Sequence, residues 1–364
     1  MRGPLRRCTG LLAVLSLLLA PVSCALAEAD WKARLEARLA TLEAGFDGEF
    51  GVVVRPLGGG EPFGWRADES WYLASLVKVP VAIELLARAE AGTLSLDERL
   101  VLHESDYVDG AGPTNWAPPG AELSLRDLLE PMLTVSDNTA SDMLIGLLGL
   151  EAVNRRAAAM TGEGGLEPIT TLVDVRRHVY AGLHPRAFEL SGLDFIELQK
   201  RDDDAARLDW LAGRLGIPRE SLRLGSLDAA FAAYYATGLN SGRLDAFAEL
   251  LAALGEGRAL GPAATARLLS TMERTTSGER RLEAGLGREL RFAHKTGTQH
   301  RRSCDAGILT LGEAADTRRL VIAACTRGER EVERAERVLA AIGRSIREVG
   351  VLDPGTRSDG RTTP

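Results

Sequence analysis

Three short runs of residues hold the side chains most able to do chemistry. Ser75-Leu76-Val77-Lys78 sets a hydroxyl and an amine three residues apart. On a helix such residues share a face, so the amine can reach the hydroxyl oxygen. A serine hydroxyl is a poor nucleophile at neutral pH and needs a base beside it. Lys78 is a base only when neutral, and burial together with a second cation such as Lys295 lowers a lysine pKa. Ser136-Asp137-Asn138 adds a hydroxyl that can relay a proton to a leaving nitrogen. It also adds a carboxamide that can hold both Lys78 and a substrate amide. Lys295-Thr296-Gly297 offers a cation and a hydroxyl to a substrate carboxylate, and Gly297 lets a substrate backbone approach the strand. Thr298 can lend its backbone N–H to an oxyanion hole, and a helix N-terminus at Ser75 favours the same negative charge. Arg301 or Arg302 can supply a fixed charge for the carboxylate. The chemistry such a set could support is acyl transfer through a serine. Each run alone reads as a helix start, a helix cap or a strand end; the conjunction of all three, in this order, does not.

Composition narrows the alternatives. The chain has 364 residues, enough for one large domain or two, with 45% hydrophobic and 26% charged residues, a globular balance. The net charge of −7 argues against a nucleic-acid partner, which calls for a basic face. With 4 Cys, 5 His, no CxxC and no HExxH, neither a metal site nor a cofactor is expected. His103, His178, His184 and His300 show no ligand spacing, and His294 reads as a residue packed at the strand before Lys295. A Ser-His-Asp triad is not needed where a lysine supplies the base. Arg201 with Asp202, Asp203 and Asp204 reads as a solvated loop. No period repeats along the chain.

The N-terminus reads as an address. Arg2, Arg6 and Arg7 precede the apolar run Leu11 to Ala20, and Ala25-Leu26-Ala27 has the small-x-small pattern of a signal-peptidase site. Residues 1–27 are therefore expected to be a cleaved signal, with a lipoprotein anchored through Cys24 as the alternative. Cleavage removes three arginines and no acid, taking the charge from −7 to −10. No later run is long and apolar enough to span a bilayer. A secreted or periplasmic protein follows, with no stable membrane span and a monomeric state expected.

The elements that must position these residues follow from periodicity. Trp31 to Ala44 carries Leu35, Leu39 and Leu42 at helical spacing. Phe50 to Val54 and Phe63 to Arg66 flank Gly58-Gly59-Gly60 as a hairpin. Val77 to Glu90 is helical with Gly92 as its stop, Ser124 and Asp127 form a capping box, and Thr139 to Leu148 is an apolar helix. Leu227 to Ala253 and Pro262 to Met272 are again helical. Strands centre on Phe292, Ile308 and Val321, and a last helix runs from Val332 to Val349. Strands at both chain ends with helices between them predict an α+β fold: an antiparallel sheet built from both ends, flanking helices and an inserted all-helical lobe. The expected division is one catalytic domain over 28–350, with a sheet lobe near 28–72 and 275–350, a helical lobe near 73–274, and a disordered tail over 351–364. A cleft between the lobes is the expected site. If Gly312 pairs with Thr317 across the turn at 313–316, Cys304 faces Cys325. They either form a disulfide or remain two small core thiols.

The three runs together resemble those of the class A β-lactamase and penicillin-binding-protein superfamily of serine hydrolases. Trp65 to Glu69 before Leu73-Ala74-Ser75, Glu90 to Asp97 (EAGTLSLD), and Ser136 to Ala140 (SDNTA) extend the likeness over about residues 30–155 and 225–345. The resemblance implies a β-lactamase-like fold and a Ser75 acyl-enzyme. Ser75, Lys78, Ser136 and Lys295 would be catalytic, and Asn138, Thr296, Gly297, Thr298 and Arg302 would bind substrate. It implies hydrolysis of a β-lactam or peptide-like amide. The chain departs from class A enzymes in one place: it has no E-x-x-L-N run, whose glutamate activates the deacylating water there. The corresponding stretch, Pro168 to Arg177, ends in two arginines. Glu167, Asp174, Glu189 and Glu197 lie in the altered region, and Glu189, followed by Leu190 after a Pro-containing loop, is the preferred substitute. Without such a base, a D,D-peptidase, another amide or ester hydrolase, or a β-lactam-binding sensor that acylates once remains open.

Overall fold

The computed structural model describes residues 31–110, 112–312 and 317–353. The leader expected at 1–27, the turn at 313–316 and the tail beyond residue 353 lie outside the described residues.

The expected elements form, and their alternation builds two apolar layers on one sheet. Helix α1 (31–44) leads into the hairpin β1 (Glu49–Pro56) and β2 (Phe63–Trp65), then the short strand β3 (Ser70–Tyr72). A 3-10 turn, Ala74–Val77, continues into α2 (Lys78–Glu90). The helical lobe follows with β4 (Arg99–Val101), β5 (Glu122–Ser124), α3 (Leu125–Thr134), α4 (Asn138–Leu148) and α5 (Leu150–Thr161). The long connection folds as α6 (Leu172–Ala181), α7 (Gly192–Gln199), α8 (Asp204–Leu215) and α9 (Leu227–Tyr235). Strand β6 (Ser241–Arg243), α10 (Leu244–Gly255), α11 (Pro262–Met272) and α12 (Leu282–Leu286) come next. The chain closes with β7 (Arg291–Gln299), β8 (Arg302–Leu311), β9 (Arg318–Arg327) and α13 (Val332–Glu348).

The main sheet is antiparallel in the order β2-β1-β9-β8-β7, so strands from both ends of the sequence pair side by side. Side chains two apart share a face. Phe50, Val52 and Val54 of β1 point to the outer layer with Trp31, Leu35 and Leu39 of α1 and Leu339, Ile342 and Ile346 of α13. Val53, Ala306, Ile308, Val321 and Ala323 point inward onto α10 and α2. Val351 joins the outer core, so packed chain continues past residue 350. In the helical lobe, Ser124 and Asp127 close the capping box expected of them, and two short ladders, β3 with β6 and β4 with β5, edge the helices.

The register of β8 on β9 is the one expected: Leu311 faces Arg318, and Cys304 faces Cys325 with their Cα atoms 4.1 Å apart. Of the two alternatives the disulfide is the one formed.

One further expectation is corrected. Leu227 to Ala253 is not one helical stretch. Gly238 and Asn240 take left-handed conformations with φ of 78° and 56°, which breaks the helix. The Asn240 carboxamide then bonds Thr170 and Tyr234, and β6 pairs with β3. The acidic cluster at 202–204 is exposed as expected, and Asp203 also caps α8, accepting the Ala206 N–H at 2.8 Å.

Candidate active site

Lys78 is the first residue of α2 and is fully buried. Its Nζ lies 2.6 Å from the Ser136 carbonyl oxygen, 2.7 Å from Asn138 Oδ1 and 3.1 Å from Ser136 Oγ. Burial drives the Lys78 pKa down to about 7; Asp137 and Asp142 oppose that shift and the Arg176 charge adds to it. A neutral lysine keeps two hydrogens, and two of these partners, a carbonyl and an amide oxygen, can only accept. Both hydrogens are thus placed, and the lone pair faces the Ser136 hydroxyl. That is the arrangement of a base hydrogen-bonded to an acid partner.

Ser75 sits one turn before Lys78, in the 3-10 turn Ala74–Val77, and is half-buried. Its hydroxyl makes no hydrogen bond to any described residue, so it meets an incoming group unencumbered; Lys78 is engaged by Ser136 instead. Ala74 beside it has φ of 48° and Ser136 φ of 64°. A non-glycine residue in that region costs about 1–2 kcal/mol. Both hydroxyl-bearing turns carry such strain.

Gly297 has a different physical reason from the one the sequence suggested. A Cβ there would lie 2.5 Å from the Leu73 carbonyl oxygen and 3.0 Å from the Ala74 Cβ. The backbone that approaches β7 is the serine turn itself. Glycine brings the edge strand against the turn that carries Ser75.

A loop clamps Ser136-Asp137-Asn138 from the other side. Buried Asp137 caps α4, accepting from Ala140 N through Oδ1 and from Thr114 N through Oδ2, both at 2.9 Å. Asn138 donates its amide to the Asp109 carbonyl at 2.6 Å, which turns Oδ1 toward Lys78. Gly110 and Gly112 admit this contact: a Cβ at either would collide with Asn138 or Asp137.

Lys295 is fully buried on the inner face of β7, and its Nζ donates to the Thr296 carbonyl at 2.9 Å. Burial, then the Lys78 and Arg281 charges, hold its pKa well below the usual lysine range. Thr296 Oγ1 pairs with Ser277 at 2.6 Å. The guanidinium attached to this strand is one that the sequence reading missed. Buried Arg281 donates to the Gly297 carbonyl at 3.0 Å and to Thr298 Oγ1 at 2.7 Å, and is backed by Glu336. It lies in a loop with no motif around it, so no local signal marked it. Arg301 is paired with Asp228, and Arg302 stacks on the Tyr235 ring at 4.4 Å. His294 is buried against Asp305 of β8 at 2.7 Å.

The four carboxylates weighed as water activators are engaged elsewhere or exposed. Glu189 lies on the surface, and its bond to Arg186 holds its pKa below the usual value. Asp174 pairs with Arg177, Glu197 with Lys200, and Glu167 is exposed. None bonds Ser75, Lys78 or Ser136. Asp142 is the acidic group that the sequence reading passed over. It stands four residues after Asn138 on the same face of α4, and its field reaches Lys78. Its oxygens accept the Leu172 and Val173 N–H groups at 2.7 and 2.9 Å, yet burial raises its pKa to about 7.

The chain matches the model of a family described as the beta-lactamase enzyme family over residues 34–349. A β-lactamase of Rhodobacter capsulatus is 35% identical over 135 residues, which is 37% of this chain and 45% of that protein. The chain spans less than half the length of the first curated relatives that it matches. It is also similar to the β-lactamase regulatory protein BlaB of Streptomyces cacaoi, 27% identical over 329 residues, covering 86% of this chain and 96% of that protein. Among solved structures, a β-lactamase from Sphaerobacter thermophilus DSM 20745 superposes with a TM-score of 0.63 at 24% identity, covering 89% of this chain and 98% of that one. At that identity the likeness shows the fold.

Proposed function

The chain belongs to the beta-lactamase enzyme family, and we propose that it is an exported serine hydrolase that opens β-lactam rings through an acyl-enzyme at Ser75. The observation that carries this reading is the buried Lys78, brought to about 7 and holding its lone pair toward the Ser136 hydroxyl, one helical turn from an unengaged serine. In the proposed reaction the Ser75 proton passes to Lys78 by way of Ser136. Ser75 Oγ then bonds the lactam carbonyl carbon, and the carbonyl electron pair moves to oxygen. As that intermediate collapses the C–N bond breaks. Ser136 gives its proton to the nitrogen and regains one from Lys78, which returns to neutral. Asn138 takes the amide on the acyl side. Lys295 and Thr296 offer N–H and O–H donors to a carboxylate on the leaving side, and the buried Arg281 charge behind β7 favours it through its field. Water then cleaves the Ser75 ester and completes hydrolysis.

A second reading has its own support. The carboxylates Glu167, Asp174, Glu189 and Glu197 do not join the Lys78 cluster, and one relative matched over most of its length is named a β-lactamase regulatory protein. A protein that acylates and then holds its adduct fits both facts. The deciding experiment is intact-mass kinetics of the chain without residues 1–27, mixed with a penicillin and a cephalosporin beside Ser75→Ala. An adduct that forms and decays with product release supports the hydrolase. A lasting adduct supports the sensor. No adduct on the wild-type protein overturns both.

A further inference from the structure

Helix α6 occupies the altered region, and its first turn is fixed to α4 by Asp142, which takes the Leu172 and Val173 N–H groups. Arg176 lies three and four residues on, so it projects from the same helical face. Its side chain is 15% exposed and that of Asp109 is 5% exposed. Arg176 Nε lies 2.8 Å from each Asp109 carboxylate oxygen. Nη1 and Nη2 make no hydrogen bond to any described residue, and they are not wholly sealed from solvent. An enclosed guanidinium whose outer edge has no acceptor differs from Arg281, whose nitrogens all find protein oxygens.

The position of that free edge ties it to the reacting groups. Asp109 accepts the Asn138 amide on its backbone oxygen, and Asn138 in turn holds Lys78. The Arg176 charge acts on Lys78 and on Tyr72, which is three residues before Ser75. Two guanidiniums therefore flank the Ser75–Lys78 pair. Arg281 is joined to β7 on the Lys295 side, and Arg176 is joined through Asp109 to the Asn138 side. With Nε spent on Asp109, the remaining two nitrogens present a planar fork, the geometry that takes a carboxylate by two parallel bonds.

We propose that Arg176 binds a carboxylate carried on the acyl portion of the substrate, so that the preferred acyl donors bear one acid beside the leaving nitrogen and a second on the acyl side chain. This deepens the proposed function and rests on acylation at Ser75. Asp109 is a positioning residue that fixes the fork and balances its charge when the site is empty.

The test compares two penicillins that differ by one group, a phenylmalonyl side chain with a free carboxylate and its phenylacetyl counterpart. Acylation rates are measured by intact mass on the wild type, Arg176→Gln, Arg176→Lys and the double variant Asp109→Asn/Arg176→Gln. The double variant avoids leaving Asp109 buried and unpaired. The readout is the ratio of the two rates, so a general loss of folded protein cancels. The wild type is expected to favour the carboxylated penicillin, Arg176→Gln and the double variant to lower the ratio about tenfold, and Arg176→Lys to fall between, since it keeps the charge but loses the fork. A ratio unchanged within twofold across all four proteins overturns the proposal and leaves Arg176 as a structural partner of Asp109, while acylation at Ser75 stands. Failure of both penicillins to label the wild type overturns acylation itself, and this proposal with it.

Discussion

The pH dependence of acylation tests the central argument, that Lys78 is a base because it is buried. Burial takes its pKa from 10.5 to about 7. A base with a pKa of about 7 is neutral in about one molecule in eleven at pH 6 and ten in eleven at pH 8. Acylation by a penicillin should therefore rise about tenfold between pH 6 and pH 8 and then level off. A lysine at its ordinary value would give about a hundredfold rise over the same range with no plateau. Asp142 supplies the perturbation. Its carboxylate raises the Lys78 pKa, so Asp142→Asn should let the lysine lose its proton more readily and move the midpoint to lower pH. The change has a structural cost. Leu172 and Val173 bond different carboxylate oxygens, so in the same geometry an amide turns its NH2 toward one of them, and the N–H left unpaired costs about 1–3 kcal/mol. Melting curves taken alongside separate that loss from the shift. The assay is the rate of mass-adduct formation from pH 5.5 to 9. A hundredfold rise without a plateau in the wild type refutes the buried-base argument. A midpoint in Asp142→Asn that moves alkaline, with the fold intact, refutes the assignment of Lys78 as the titrating group, whereas one that stays fixed shows that Asp142 is uncharged across the titration.

Four other outcomes follow from the same contacts. Gly297→Ala places a methyl 2.5 Å from the Leu73 carbonyl, so the serine turn must move; it should lower stability by about 1–3 kcal/mol and slow acylation more than binding, read from denaturant melts and single-turnover rates. Asp137→Ala removes the cap of α4 and the acceptor of Thr114 N, and should cost about 2–4 kcal/mol in a urea melt. Reducing the Cys304–Cys325 disulfide, which closes a 21-residue separation, should lower stability by about 3 kcal/mol, seen as a lower melting temperature with reductant. Lys78→Met should be more stable than the wild type near pH 7. The native lysine pKa is depressed, so between about 7 and 10.5 the unfolded chain binds the extra proton. Wild-type stability then rises with pH by up to about 1.4 kcal/mol per unit, and the gap to Lys78→Met should narrow from pH 7 to pH 10. A gap that widens would reverse the sign of the argument.

The sequence by itself determined the layered fold and the candidate cluster of Ser75, Lys78, Ser136 and Asn138. Period-two strands at both ends must pair to bury Phe50, Val52 and Val54 on one face and Ile308 and Val321 on the other. The same register set Cys304 opposite Cys325. Ser75 and Lys78, three apart on a helix, and Ser136 with Asn138 were legible because local spacing fixes their mutual reach. Whether the cysteines are joined, and which groups surround Lys78, depended on contacts between segments far apart in the chain. Arg281 reaches Thr298 from a loop without a motif, and Asp142 reaches Lys78 from inside a helix. Arg176 meets Asp109 across 67 residues of sequence. Glu189 looked suitable by order along the chain, but order does not convey that Arg186 holds it at the surface. A base or a charged anchor is made by burial and by its neighbours. Those are properties of packing, which local spacing does not encode.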